Sequence, residues 1–168
     1  EKVELHKSLS RASVTLISGD GNLVKNAKAP LFLSPVTKAS TGVEDAEHNG
    51  LSFAYLASKA LGGSFMDIER EPDQAQRAEI LQAAKGHDVV VLAVQNARFR
   101  PGMLKLMEEL GREDSKLAVV LVAGPWDVSY MAKADAVVCI YEYTPLSVAS
   151  AVDALKTGEY FGKLPVKL

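Results

Sequence analysis

Cysteine is almost absent from these 168 residues: Cys139 stands alone inside an apolar run, which reads as a small buried hydrophobe rather than a catalytic thiol and fixes no redox compartment. Neither sign of charge is in excess. Nineteen Lys and Arg face 21 Asp and Glu for a net charge of −2, and the basic residues are spread without a block, so there is no footprint for nucleic acid or an anionic membrane surface. No apolar stretch approaches the ~20 residues that span a bilayer, and no charged-then-apolar signal segment opens the chain. The patterns GxxxxGK[ST], GxSxG and HExxH are missing, which removes a phosphate loop, a nucleophile elbow and a zinc helix. There is no internal repeat, low-complexity tract or domain boundary.

What is present is enough for one ordinary core: 48% of the residues are hydrophobic and 24% charged, and the expectation is one domain over residues 1–168. Three apolar, β-branched runs are each followed within a few residues by a proline. The runs are DVVVLAVQ, KLAVVLVAG and DAVVCIYEY, and the prolines are Pro101, Pro125 and Pro145. A continuous apolar run without alternation suits a strand covered on both faces, and proline in a first helical turn loses no hydrogen bond. Each run is therefore expected to lead into an amphipathic helix. Repeated β-turn-α units predict a three-layer α/β/α sandwich around a mostly parallel sheet of about six strands, with the helix N-termini gathered at its carboxyl edge.

Earlier in the chain, the pattern predicts a helix over residues 3–11, a strand in SVTLIS from Ser13, a turn at GDGN from Gly19, and a strand in APLFLSP from Ala29. TKASTGVEDAEHNG reads as a polar loop leading to a helix over 51–61 that places Phe53, Leu56 and Ala60 on one face. SFMDIE alternates as a strand. Asp73 and Gln76 resemble a capping box for a helix running to Lys85 and stopped by Gly86, and the last helix ends near Lys156 to Gly158. The chain opens on Glu1 rather than Met, and its first helix starts at once, as expected of a piece cut from a longer chain.

Among local motifs, Gly19-Asp20-Gly21 begins like a dinucleotide fingerprint, but Val24 and the lack of a following helix deny it the helix N-terminus it needs. His48 lies among Glu44, Asp45 and Glu47, and a solvated acidic loop accounts for that cluster better than a metal site. His6 and His87 have no Ser or Cys motif beside them to recruit either as a base. The carboxyl edge carries more. After the three strands come Gln95, Asn96, Arg98, Phe99 and Arg100, then Trp126 and Asp127, then Glu142 and Tyr143. Rings with amide and guanidinium donors suit a sugar, whose faces stack and whose hydroxyls need partners. The bland alternative places Asp127 at the positive end of its helix, packs Trp126 on a neighbour and leaves the arginines solvated. The candidates for substrate binding or a domain interface are Asn96, Arg98, Arg100, Trp126, Glu142 and Tyr143. An uncovered interface is expected around Phe99, Trp126, Tyr143 and residues 36–43.

The segments HKSLSRASVTLISGDGNLV, QNARFRPGMLKLMEEL, VVLVAGPWDVSYMAKADAVVCIYEYTPLSVASAVDAL and GKLPVKL resemble the C-terminal α/β sandwich domain of family 3 glycoside hydrolases. The nearest subtype is the two-domain bacterial β-N-acetylglucosaminidases, and the likeness is strongest over residues 88–168. It implies a six-stranded, largely parallel sheet between helices and an upstream catalytic (β/α)8 barrel in the same parent chain. It also implies retaining chemistry whose nucleophilic Asp sits in that barrel. Many β-glucosidases of the family draw an acid/base Glu from an insertion in this domain, but here the connection from Gln95 to Pro101 is only NARFR and holds no carboxylate. The His- and Asp-bearing barrel motif of the acetylglucosaminidases, like KHFPGHG, is absent as well.

A retaining mechanism needs two carboxyl-type groups about 5 Å apart, or a substitute pair, and neither is found. The expectation is thus an accessory domain of a β-N-acetylglucosaminidase-like hydrolase, with no catalytic residue, metal or cofactor of its own. Its expected partners are the barrel and an N-acetylglucosamine-containing saccharide. The competing reading is a free-standing α/β module that binds a sugar or another small ligand. A small enzyme of flavodoxin-like topology ranks behind both.

Overall fold

The computed structural model describes residues 1–35, 51–131 and 133–164. The elements follow in the order α1 (Lys2–Ser13), β1 (Thr15–Gly19), β2 (Pro30–Pro35), α2 (Phe53–Leu61), β3 (Ser64–Ile68), α3 (Gln74–Ala84), β4 (Val89–Val94), α4 (Pro101–Leu110), β5 (Lys116–Leu121), β6 (Ala136–Cys139) and α5 (Pro145–Thr157). Two 3-10 turns, Ala97–Phe99 and Pro125–Tyr130, follow β4 and β5. One sheet runs β1-β6-β5-β4-β2-β3. All its pairs are parallel except β1 with β6, so the expected three-layer, mostly parallel sandwich is what forms.

The strands are apolar on both faces because each face has its own helix layer. Val89, Val91 and Ala93 of β4, with Ala118, Val120, Ala136 and Val138, pack toward α2 and α5. Their alternates Val90, Leu92 and Val94, with Leu117, Val119 and Leu121, pack toward α3 and α4. The first face is rich in alanine. Ala54 and Ala57 of α2 and Ala151 and Ala154 of α5 are fully buried against it, so those two helices approach closely.

This close approach also explains a difference in α2. Its buried face is Phe53, Ala54 and Ala57, whereas Leu56 is 38% exposed and Ala60 lies outside. Small residues, rather than the larger Leu56, fit the alanine-lined sheet.

The prolines behave as expected at two of three sites. Pro101 and Pro145 open α4 and α5, but Pro125 opens only a six-residue 3-10 turn. The capping box is half formed: Asp73 accepts from the Gln76 N–H at 2.8 Å, while the Gln76 side chain turns away to accept from the Glu69 N–H at 3.0 Å. The N-terminus of α4 is met by Glu71, whose Oε1 accepts from the Gly102 N–H at 2.8 Å. Only glycine fits there, since a Cβ at residue 102 would stand 2.5 Å from the Pro72 carbonyl oxygen. At the last helix, Gly158 takes the left-handed turn (φ 73°) that ends α5.

Helix α1 buries none of its residues. It is held to α5 and to the segment just after it by polar latches instead. Arg11 Nε donates to Asp153 Oδ2 at 2.6 Å, another Arg11 nitrogen donates to the Glu159 carbonyl at 2.7 Å, and the Ser150 hydroxyl donates to Ser10 at 2.8 Å. Val3, Leu5 and Leu9 remain 57–65% exposed. No helix among the described residues is long and apolar enough to cross a membrane. The acidic cluster around His48 and the stretch 36–43 lie outside the described residues.

Candidate functional site

Where β5 and β4 end, two short turns meet at one carboxylate. Val94 closes β4, and Asn96 then takes a left-handed conformation (φ 52°), a geometry Asn tolerates better than most side chains. That reversal throws the chain into the 3-10 turn Ala97–Phe99. After β5, Gly124 at φ 95° turns the chain into Pro125, and the Trp126 indole folds back on it, close enough that a Cβ at residue 124 would lie 3.1 Å from Nε1. Asp127 joins the two turns. Its side chain is buried, with Oδ2 accepting from the Ala97 N–H at 2.9 Å and Oδ1 from the Arg98 N–H at 3.1 Å. The Arg98 guanidinium reaches the same carboxylate at 3.4 Å and lies 4.6 Å from the centre of the Phe99 ring. The outcome is a ledge at the carboxyl edge with Phe99 69% and Trp126 56% exposed. Apolar rings cost hydrophobic free energy when left in water, and here they are held there by a rigid polar clamp.

The structure divides the six candidate residues. Asn96, Arg98, Arg100 and Trp126 belong to the two turns that Asp127 ties together. Glu142 does not join them. It is exposed in a separate cleft beside His6, Leu9 and Ser10 of α1 and Ser147 of α5.

Tyr143 is a correction to the expected surface ring. It is half-buried against the α2–α5 core, and its hydroxyl donates to the Leu51 carbonyl at 3.2 Å and accepts from the Phe53 N–H at 3.0 Å. Burial pushes its pKa up, with the bond from Phe53 opposing. This tyrosine fastens the start of α2 to the end of β6, because a ring placed two residues before Pro145 can reach across the top of the sheet. Asp127 is the linking residue that the sequence undersold. Its partners lie 29 and 30 residues away, and the only local hint was an acid in the first turn after Pro125.

The sheet changes winding direction between β2 and β4, since α2 leaves β2 toward one layer and α4 leaves β4 toward the other. Such a switch point opens a crevice at the carboxyl edge. On the β4 side stands Gln95, whose Oε1 is buried without a hydrogen-bond partner. The N-terminus of α4 at this edge is already answered by Glu71 and offers no anion site. Among the described residues no group of three His, Cys, Asp or Glu is placed to hold a metal. Among the described residues no two carboxylates meet at the ledge: Asp127 spends both oxygens on backbone donors, and Glu142 lies in its own cleft.

Solved structures share this fold over nearly the whole chain. A family 3 β-N-acetylglucosaminidase from Paenibacillus sp. FPU-7 superposes with a TM-score of 0.82 at 23% identity, covering 98% of this chain and 32% of that one. The fold is that of one part of a family 3 glycoside hydrolase. A fungal multi-domain family 3 β-N-acetylglucosaminidase gives a TM-score of 0.77 at 20% identity, over 99% of this chain and 19% of its own length. A β-glucosidase from Listeria innocua gives 0.68 at 17% identity, over 90% and 24%. This chain thus spans a third or less of each of these enzymes, and in each the fold sits within a longer polypeptide. Neither a protein-family model nor a curated protein sequence matches the chain.

Proposed function

We propose that this chain is the accessory C-terminal domain of a β-N-acetylglucosaminidase-like family 3 hydrolase, contributing a packing surface to a catalytic (β/α)8 barrel rather than chemistry. The observation that carries this reading is the clamped ledge. Two large rings, Phe99 and Trp126, are held in solvent by the buried Asp127, a geometry that makes sense when another surface covers them. The unburied apolar side chains of α1 add a second uncovered strip. The short coverage of the Paenibacillus and fungal enzymes supports the same view. In this role the domain stabilises the barrel and forms one wall beside the cleft. The retaining carboxyl or substitute pair, about 5 Å apart, resides in the barrel. An interface between such domains covers roughly 600–1,500 Å².

The exposed ring pair also supports a second reading, a module that stacks N-acetylglucosamine-type sugars directly on Phe99 and Trp126. The test is hydrolysis of an aryl N-acetyl-β-glucosaminide by the chain alone. Turnover no greater than in buffer is expected. Turnover that survives repurification and disappears in a Glu142→Gln variant would overturn the accessory role. Titrating Trp126 fluorescence with chitooligosaccharides separates the readings, since micromolar binding favours the sugar module and no response favours packing.

A further inference from the structure

Between β5 and β6 the chain makes only the six-residue 3-10 turn, whereas the other parallel crossovers carry helices of 9, 11 and 10 residues. The layer over β5 is correspondingly thin, and a pocket of about 250 Å³ opens between α4, β5 and the segment leading into β6. Its floor is Leu117 and Val119 of the sheet, and its walls include Leu104, Met107 and Met131. Two thioethers let such a wall adjust to a flat or branched guest. At the rim stand Tyr130, Glu108 and Lys133.

Glu108 at the rim is shared between Lys133 and Arg112, which lies outside the pocket lining. Glu108 Oε1 already accepts from Arg112 at 2.6 Å, and the Lys133 ammonium stands 3.9 Å from that same oxygen. Asp135, the nearest carboxylate along the chain, is engaged by the Leu117 N–H at 2.8 Å and by Lys116 at 4.0 Å. Two cations therefore share one carboxylate, and Lys133, the one that lines the pocket, is the less tightly held. We propose that this pocket binds a small apolar monocarboxylate, an aryl- or branched alkyl-carboxylate, with its hydrocarbon over Leu117 and its carboxylate on Lys133. The volume falls below the roughly 300–1,000 Å³ of sites for drug-sized ligands, so the guest is fragment-sized and binds weakly. An amine of the same shape meets Lys133 with like charge. The pocket shares with the ledge only Tyr130, the last residue of the turn that carries Trp126.

The test is fluorine NMR of the folded chain with 4-fluorophenylacetate and 4-fluorophenethylamine, at low salt because the rim pair is exposed to screening. The acid should bind in the millimolar range and at least about tenfold more tightly than the amine. Lys133→Met should erase that preference, and Ala134→Leu, which extends into the pocket, should abolish binding of both. Because the Leu variant could perturb folding, contacts from the bound probe to the Met107 and Met131 methyls in the unaltered chain are the second readout. No binding of either probe, an amine that binds as well as the acid, or contacts to methyls elsewhere would each overturn the proposal.

Discussion

Replacing Asp127 by Ala removes the clamp that holds the two turns together, and the size of the effect follows from what is left behind. The Ala97 N–H is buried and loses the acceptor it bonds at 2.9 Å, and an unsatisfied buried donor costs about 1–3 kcal/mol. The Arg98 N–H, bonded at 3.1 Å, is partly reached by water and costs less. The ion pair to Arg98 is 3.4 Å long with the arginine side chain 30% exposed, so it contributes at most about 1 kcal/mol. Together these give a loss of about 2–4 kcal/mol, or a fall in Tm of about 5–15 °C for a chain of this size. Asp127→Asn keeps one acceptor oxygen and turns an N–H₂ toward the other donor, so it should fall between wild type and Ala. Urea and thermal unfolding give the stabilities, and hydrogen exchange at Ala97 and Arg98 localises the opening. The reasoning fails if Asp127→Ala unfolds within about 0.5 kcal/mol of wild type. It also fails if the exchange of those two amides is unchanged.

Burial pushes the Cys139 thiol up to about 12, so it should resist a disulfide reagent at pH 8 in the native protein and react at once in denaturant. Tyr143→Phe strips the Phe53 N–H of its acceptor and should cost about 1–2 kcal/mol, measured by urea unfolding, while leaving the fluorescence of the exposed Trp126 unmoved. Asp88 accepts from the Lys28 and Ala29 N–H groups, chiefly the former, which lowers its pKa below 3.8. A lowered carboxyl pKa contributes stability that is present above the ordinary value and lost as pH falls through the lowered one. The stability gap between wild type and Asp88→Asn should therefore be open at pH 6 and close below pH 4 in acid titrations of unfolding.

The sheet was legible because its signals are local. Val89–Val94 and Lys116–Leu121 are unbroken apolar runs, and Pro101 and Pro145 mark helix starts by backbone geometry alone. Legibility ended where partners are distant in sequence. Leu56 outranks Ala54 on any hydrophobic scale, yet the alanine-lined sheet selects the smaller side chain. Pro125 has the same local start as Pro101, but only six residues of 3-10 turn follow before the chain must descend into β6. Asn96 and Trp126 both follow strand ends, and the turns that carry them are joined. What brings them together is Asp127, and its reach across about thirty residues leaves no periodic trace. Glu142 and Tyr143 satisfy the same strand-end rule, but β6 borders α1 and α5, so one faces a different cleft and the other turns inward.

Hydrogen exchange of the chain, alone and mixed with a separately expressed barrel of a family 3 β-N-acetylglucosaminidase, tests the packing role most directly. Association should quench exchange in the turns Ala97–Phe99 and Pro125–Tyr130, shift the emission of Trp126, and weaken at least tenfold in a Phe99→Ala, Trp126→Ala double variant, since buried aromatic anchors carry about 2 kcal/mol or more each. A barrel that neither binds nor protects those turns, while the same chain takes up chitooligosaccharides at micromolar concentration through Trp126, would contradict the accessory role.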